Sequence, residues 1–427
     1  MRILLVISVL FFSFVDFGPS TGQNARPPNI EPGSESRPYA GGTLITPQSS
    51  LRKSADDIGI HTHHFIFVPP INRSSKAQPK GPPYTGYNFN TPASVACIYK
   101  QVPQSSGCDP YKVTVNASGG SRAIGIVVAY DAPNIATDLA VFSRQFDLPE
   151  PTAATLEVVY ASGSKPAYDV GWEREATLDV EMAHAMAPDA KIILVEAIDV
   201  KPENLLAAVD KASQLVVAAG GGEVSMSWIG IETVNESSYD VHFTTEGVVY
   251  LGCSGDGYGP LWPSVSSKLV AVGATTILRD AGGAFTGEIP WLFEGAGLSK
   301  FIPRPAYQDA VADIVGNARG VPDITAVGDP ATGVWAYDSN FGGEFNGWFV
   351  ASGSSASTPI VAGIINRAGH FYRSTADELA AIYGALSNPN DYNDITNGVC
   401  GPSQKYEAGP GWDFCTGVGS PNGTGGK

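Results

Sequence analysis

The serines of Ala351-Ser352-Gly353-Ser354-Ser355-Ala356-Ser357-Thr358-Pro359 stand directly before the apolar run Ile360-Val361-Ala362-Gly363-Ile364-Ile365. Glycine permits a tight strand-to-helix turn. A serine in the first turn of the following helix meets free backbone N–H groups and the positive end of the helix dipole. Such a place suits a nucleophile whose adduct carries an oxyanion, and Ser355 is the candidate. Pro359 is expected in that first turn, where an N–H has no intrahelical partner. An ordinary serine-capped buried helix has the same composition, so the chemistry also needs a base.

No histidine of this chain has the Gly-flanked His-Gly-Thr-His setting of a subtilisin-type base. Carboxylates offer another route in Glu173-Arg174-Glu175-Ala176-Thr177-Leu178-Asp179-Val180-Glu181-Met182-Ala183-His184-Ala185-Met186. Glu175 and Asp179 are four apart and therefore neighbours on one helix face. Ala176, Leu178, Val180, Met182, Ala183 and Ala185 surround them, so burial is expected on most sides. Two carboxyls held close in partial burial share a proton more readily than both ionise. That arrangement supplies a glutamate base for Ser355, with Asp179 supporting it. Pairing of both acids with Lys or Arg is the structural alternative. A third piece, Gly252-Cys253-Ser254-Gly255-Asp256-Gly257-Tyr258-Gly259, follows an apolar strand. A protonated Asp256 there could donate to an oxyanion, whereas an ionised one would repel it; a plain Asp-Gly turn is the competing reading.

These residues need a scaffold, and the composition allows one. The chain has 427 residues, 43% hydrophobic and 16% charged, a globular rather than a disordered balance. Its 26 Lys and Arg against 42 Asp and Glu give a formal charge of −16, which argues against nucleic-acid binding. From about Tyr84 onward, apolar β-rich runs alternate with helical patterns. Ile124 to Tyr130 precedes a helix over 134–146, and Leu156 to Tyr160 precedes Glu173 to Met186. Lys191 to Glu196 precedes Pro202 to Leu215, and Val224 to Trp228 and Val248 to Cys253 follow. Continuous apolar strands separated by helices predict an α/β fold, a mostly parallel central sheet with helices on both faces. Active sites of such sheets gather at the carboxyl ends of the strands.

The ends read differently. Met1-Arg2 and the apolar run Ile3 to Val15, shorter than the roughly 20 residues that span a bilayer, lead to Ser20, Thr21 and Gly22. Residues 1–22 therefore read as a secretory signal peptide, and the mature protein as exported, with no membrane span. Residues 23–83 read as a short Pro/Gly-rich N-terminal or pro-segment with one short strand, Phe65 to Val68. Its His61-Thr62-His63-His64 is weak evidence for a metal and fits a titrating strand edge. Residues 84–421 form one catalytic-sized domain, and 422–427 a tail. Cys97 with Cys108, and Cys400 with Cys415, are expected to pair; Cys253, inside an apolar strand, is expected to be a free thiol. Asn72, Asn116, Asn235 and Asn422 begin glycosylation sequons.

Taken in order, the Glu175–Asp179 helix, the Asp256 loop and the Ser355 turn resemble the sedolisins, the serine-carboxyl peptidases. Ala187-Pro188-Asp189-Ala190-Lys191-Ile192, Val224-Ser225-Met226-Ser227-Trp228, Gly320-Val321-Pro322-Asp323-Ile324 and Asp329-Pro330-Ala331-Thr332-Gly333 extend the likeness over most of 84–421. The resemblance implies a subtilisin-like fold with a Ser-Glu-Asp triad. Ser355 would attack the peptide carbonyl, Glu175 take and return the proton, Asp179 support it, and Asp256 stabilise the oxyanion. The substrates would be peptides or unfolded proteins, hydrolysed at acid pH, as endopeptidase or tripeptidyl-peptidase, by a monomer.

The C-terminal region, Asp394-Ile395-Thr396-Asn397-Gly398 and Glu407-Ala408-Gly409-Pro410-Gly411-Trp412-Asp413, resembles that family's calcium site. By position, Asp394 and Asp413 would supply carboxylates to one structural Ca²⁺, and Ile395, Gly409 and Gly411 backbone carbonyls, a donor set this cation prefers. The family's folded pro-domain is longer than the segment before residue 84, and two loops near the cleft are short. Those departures motivate a second reading, a catalytically silent homologue that binds peptides or a wall component through the same cleft.

Overall fold

The computed structural model describes residues 28–52, 54, 57–70, 76–257 and 259–427. The signal peptide expected over 1–22 and the Asn72 sequon lie outside them.

The expected alternation is present. Strand β5 (Ala123–Ala129) leads to α2 (Ile135–Phe146), β6 (Leu156–Tyr160) to α3 (Val170–Met186), and β7 (Lys191–Ala197) to α4 (Pro202–Ala218). Then come β8 (Gly222–Met226), the short β9 (Trp228–Ile229), β10 (Val248–Cys253), β11 (Val270–Arg279) and β12 (Phe285–Pro290). A hairpin of β13 (Gly297–Pro303) and β14 (Ala318–Val321) flanks the one-turn α5 (Ala312–Val315), and β15 (Ile324–Val327) returns to the sheet. The central eight-stranded sheet runs β12-β11-β10-β8-β5-β7-β6, with β15 also on β11. Every pairing except β11 with β12 is parallel. Strands such as β5 and β10 are buried at every residue, as a sheet covered on both faces requires.

Helix α6 (Ser354–Ala368) packs along α3 over this sheet, while α4 packs on β5, β7 and β8. The two buried helices approach closely because a Cβ at Gly363 would lie 2.6 Å from Met186 Cβ. Ahead of the sheet, α1 (Pro92–Ile98) starts at a reciprocal cap: Thr91 Oγ1 accepts from Ser94 N–H, and Ser94 Oγ accepts from Thr91 N–H. Thr91→Ala removes one half of this cap and should cost about 1 kcal/mol, read as a lower denaturant midpoint; an unchanged midpoint would contradict it.

The N-terminal segment is more structured than its composition suggested. It contributes β1 (Glu35–Tyr39), β2 (Gly42–Thr46), β3 (His61–Thr62) and β4 (Phe65–Val68). A second sheet runs β1-β2-β4-β17-β16, where β16 is Val334–Tyr337 and β17 is Trp348–Ser352. Thus β4 is an interior strand between β2 and β17, and Ile66 and Phe67 are part of the main core. Composition hid this because every partner of β4 except β2 lies nearly 300 residues away.

Both expected disulfides, Cys97–Cys108 and Cys400–Cys415, are present, and Cys253 is free and buried. No described helix is long and apolar enough to cross a membrane. Of the described sequons Asn235 is exposed, whereas Asn422 is buried with its amide on Pro389 O, which leaves it no room for a glycan.

Candidate active site

Strand β17 ends at Ser352, and Gly353 turns the chain into α6 with φ of +95°. A side chain here would be strained and would also collide, since a Cβ would lie 2.5 Å from His63 O and 2.9 Å from an Asp256 carboxyl oxygen. Ser355 is the second residue of α6 and is fully buried; its Oγ donates, at 3.4 Å, to Ser227 O. Pro359 is the sixth residue of the helix, not a first-turn residue as expected. An N–H at that position would have bonded Ser355 O. Its absence leaves that carbonyl to the Ser227 hydroxyl, 3.4 Å away.

Helix α3 is buried almost throughout, and it carries Glu175 and Asp179 into the interior with neither exposed. Neither acid has a Lys or Arg partner among the described residues. Arg174, on the same helix, instead pairs with Asp338 at 3.2 Å and lies over the Phe341 ring. Asp179 Oδ1 accepts from Ser227 Oγ at 2.7 Å, so Ser227 touches both the acid and the Ser355 backbone. Burial first, and then the charge of Glu175, pushes the Asp179 carboxyl well above the usual carboxylate range; the Ser227 bond opposes them. Two close carboxyls sharing one proton have this electrostatic signature.

The Asp256 loop leaves the carboxyl end of β10, where Cys253 pairs with Val272 of β11. Asp256 Oδ1 accepts from Ser354 N–H at 3.1 Å, which draws the loop onto the start of α6. Burial pushes Asp256 well above its ordinary range, the Ser354 hydrogen bonds pull it back, and Glu175 adds to the rise. Glu294 lies close enough that Asp256 helps to raise it too, after burial, and it accepts from Ser254 Oγ. At acid pH Asp256 therefore carries a proton next to the helix terminus, where an oxyanion would need a donor.

The structure therefore brings Glu175, Asp179, Asp256 and Ser355 into one buried site at the carboxyl end of the sheet. It also brings two residues that sequence reasoning left outside, from the segment between β3 and β4. His64 Nδ1 lies 2.9 Å from Glu175 Oε2, and His63 N–H donates to the same oxygen at 3.1 Å. His63 Nε2 lies 3.3 Å from Asp256 Oδ2. Burial lowers the His63 imidazole to about 3, the Thr62 backbone bond opposing and the His61, His64 and Arg52 charges adding to the fall. Burial thus favours the uncharged form of both the His63 ring and the Asp256 carboxyl beside it. The one signal available in the sequence was the run His61-Thr62-His63-His64 directly before an apolar strand. Beside the site a cavity of about 330 Å³ reaches Asp256 and His63 between Arg37, Phe65, Trp291 and Phe293.

At the C-terminal end, Gly411 N–H donates to Asp394 Oδ2 at 2.9 Å, and Gly409 N–H to Asp413 Oδ2 at 3.0 Å. Asp413 Oδ1 accepts from Cys415 N–H at 2.7 Å, inside the loop closed by Cys400–Cys415. Both carboxylates thus meet the loop that bears Gly409 and Gly411, and Ile395 follows Asp394. An all-oxygen set of two carboxylates and backbone carbonyls fits a hard divalent cation. Among the described residues no three His, Cys, Asp or Glu side chains form a metal cluster, so carbonyls would have to complete any such shell.

The architecture, a mostly parallel sheet with a serine at a helix start beyond a strand's carboxyl end, is a subtilisin-like fold. Sphericase shares it with a TM-score of 0.51 at 17% identity, over 77% of this chain and 96% of that chain. Pseudomonas sedolisin, a serine-carboxyl proteinase complexed with two molecules of pseudo-iodotyrostatin, superposes with a TM-score of 0.64 at 21% identity, over 78% of this chain and 95% of that one. In sequence, kumamolisin of Bacillus sp. (strain MN-32) is 29% identical over 366 residues, 78% of this chain and 62% of that protein. Sedolisin of Pseudomonas sp. (strain 101) is 31% identical over 182 residues, 39% of this chain and 29% of that protein. No family model matches. In sequence and in fold the chain is similar to the sedolisin family. It spans less than two thirds of the length of these two relatives.

Proposed function

We propose that the protein is an exported, acid-acting serine-carboxyl peptidase. The observation that carries this reading is the convergence of Ser355, Glu175, Asp179 and a protonated Asp256 in one buried site. Glu175 Oε1 has no partner among the described residues and is the oxygen free to take the Ser355 proton as Oγ attacks the substrate carbonyl. Asp179, held by Ser227, shares the proton that Glu175 acquires. The Asp256 hydroxyl and the N–H of Ser355 stabilise the oxyanion; Glu175 returns the proton to the leaving amine, and water then releases the acyl group by the same path. Peptides and unfolded proteins are the substrates, 1–22 the signal peptide, and residues 84–421 together with strands β1 to β4 the catalytic unit.

The test is hydrolysis of an unstructured protein from about pH 3 to pH 8, with product masses read out. Cleavage confined to acid supports the reading, and the product ladder separates endopeptidase from tripeptidyl-peptidase. No cleavage at any pH would favour the silent binding homologue.

We also propose that Asp394 and Asp413, with the carbonyls of Ile395, Gly409 and Gly411, hold one structural calcium ion. When bound it supplies charge neutralisation and cross-links the two loops, and it takes no part in the reaction. Chelation should lower the melting temperature, by an amount set by occupancy, and added Ca²⁺ should restore it. No shift in either direction would count against the site.

A further inference from the structure

Among the buried titratable groups that the proposed reaction does not use, one pair touches its base directly. We propose that His64 is a positioning residue for Glu175: it donates through Nδ1 to Oε2, together with the His63 peptide N–H, and so turns Oε1 toward Ser355. This rests on the peptidase reading above and deepens it.

The geometry is specific. Among the described residues Glu175 accepts two hydrogen bonds, both on Oε2 and both from this segment, at 3.1 Å from His63 N and 2.9 Å from His64 Nδ1. Oε1 is buried without a partner among the described residues. A carboxylate fixed on one oxygen has its other lone pairs aimed, which a base in a closed site requires. His64 is itself completely buried. Its carbonyl is bound by Ser50 Oγ at 3.1 Å, and Ser50 Oγ also meets Thr62 Oγ1 at 2.8 Å.

The segment holds its place through both neighbours in the chain. On one side β3 pairs with β9, His61 opposite Ile229. On the other, β4 is stitched to β17, Ser352 opposite Phe65, so the strand that delivers His64 is bonded to the strand that delivers Ser355. A detachable tail would not run through the interior of a sheet. The charged and titratable groups around the pair are Glu175 and Asp179 from α3, the Cys253 thiol at the end of β10, Asp256 and Glu294 from the loops after β10 and β12, and His61 and Arg52 from the segment itself.

Two variants of similar bulk separate hydrogen bonding from packing. His64→Leu keeps the volume and loses the donor; His64→Asn places an amide N–H close to the position of Nδ1. With folding checked by near-ultraviolet circular dichroism, His64→Leu should lower kcat on the order of 10–100-fold while KM changes little. His64→Asn should recover most of the kcat with KM again little changed. Equal activity of the two variants, or a His64→Leu enzyme as fast as or faster than wild type, would overturn the inference and make the segment a mere cover. A wild-type protein no more active than Ser355→Ala would instead overturn the peptidase reading, and the inference with it.

Discussion

Ser355→Ala should reduce kcat by about 10⁴–10⁶-fold, the range seen when a serine nucleophile is removed from a site whose members act as a unit. The fold should be unaffected. Among the described residues the Ser355 Oγ makes one long hydrogen bond, to Ser227 O at 3.4 Å, while the turn is held by Ser354 N–H on Asp256 and by Ala356 N–H on Gly353 O at 3.0 Å. Alanine also suits a helix better than serine. Single-turnover cleavage of an unstructured protein, with thermal unfolding run in parallel, reads both quantities. Retained turnover in the mutant would remove Ser355 from the reaction.

Asp256→Ala should cost about 10²–10³-fold in kcat, the usual loss on deleting one oxyanion donor. Asp256→Asn should lose less, because its amide still donates. The sign of the pH dependence follows from the raised Asp256 carboxyl: protonated it donates, ionised it repels the oxyanion, so wild-type activity falls as pH rises through that raised value. The asparagine variant has no proton to lose there, and its basic limb should flatten. An optimum at neutral or alkaline pH in the wild type would exclude this role. Stability shares the direction. Burial first of all pushes Glu173, Glu196 and Glu236 up to about 7 and Glu378 to about 8. Each holds its proton more tightly folded than unfolded, so its contribution is complete below the ordinary carboxylate range and lost as pH rises through about 7 to 8. The melting temperature should therefore be higher near pH 5 than near pH 8.

Local pattern made most of the catalytic domain legible. Leu156–Tyr160 and Val248–Cys253 stand where the apolar runs put them, and α2 begins one residue after its Asn134 cap. The Glu175–Asp179 pair could be read because a four-residue spacing fixes a shared helix face, and the buried residues around it fixed its environment. Pro359 was misplaced by a turn because the sequence does not mark whether the helix starts at Ser354 or later. The histidines could not be placed at all. Their partner Glu175 is 111 and 112 residues away, and the strand that follows them, β4, pairs with β17 across most of the chain. Strand partners at such separation leave no periodicity to read.

The interior position of β4 limits how this protein can be matured. Trimming the chain at residue 83 would strip β17 of a neighbour and leave bare backbone amides and carbonyls on the strand that leads into Ser355, a new edge open to pairing with other chains. A cut in the stretch ahead of β1 would leave every strand paired. Limited proteolysis should accordingly yield an active product that begins before Glu35, and the form truncated at residue 84 should be recovered as aggregate.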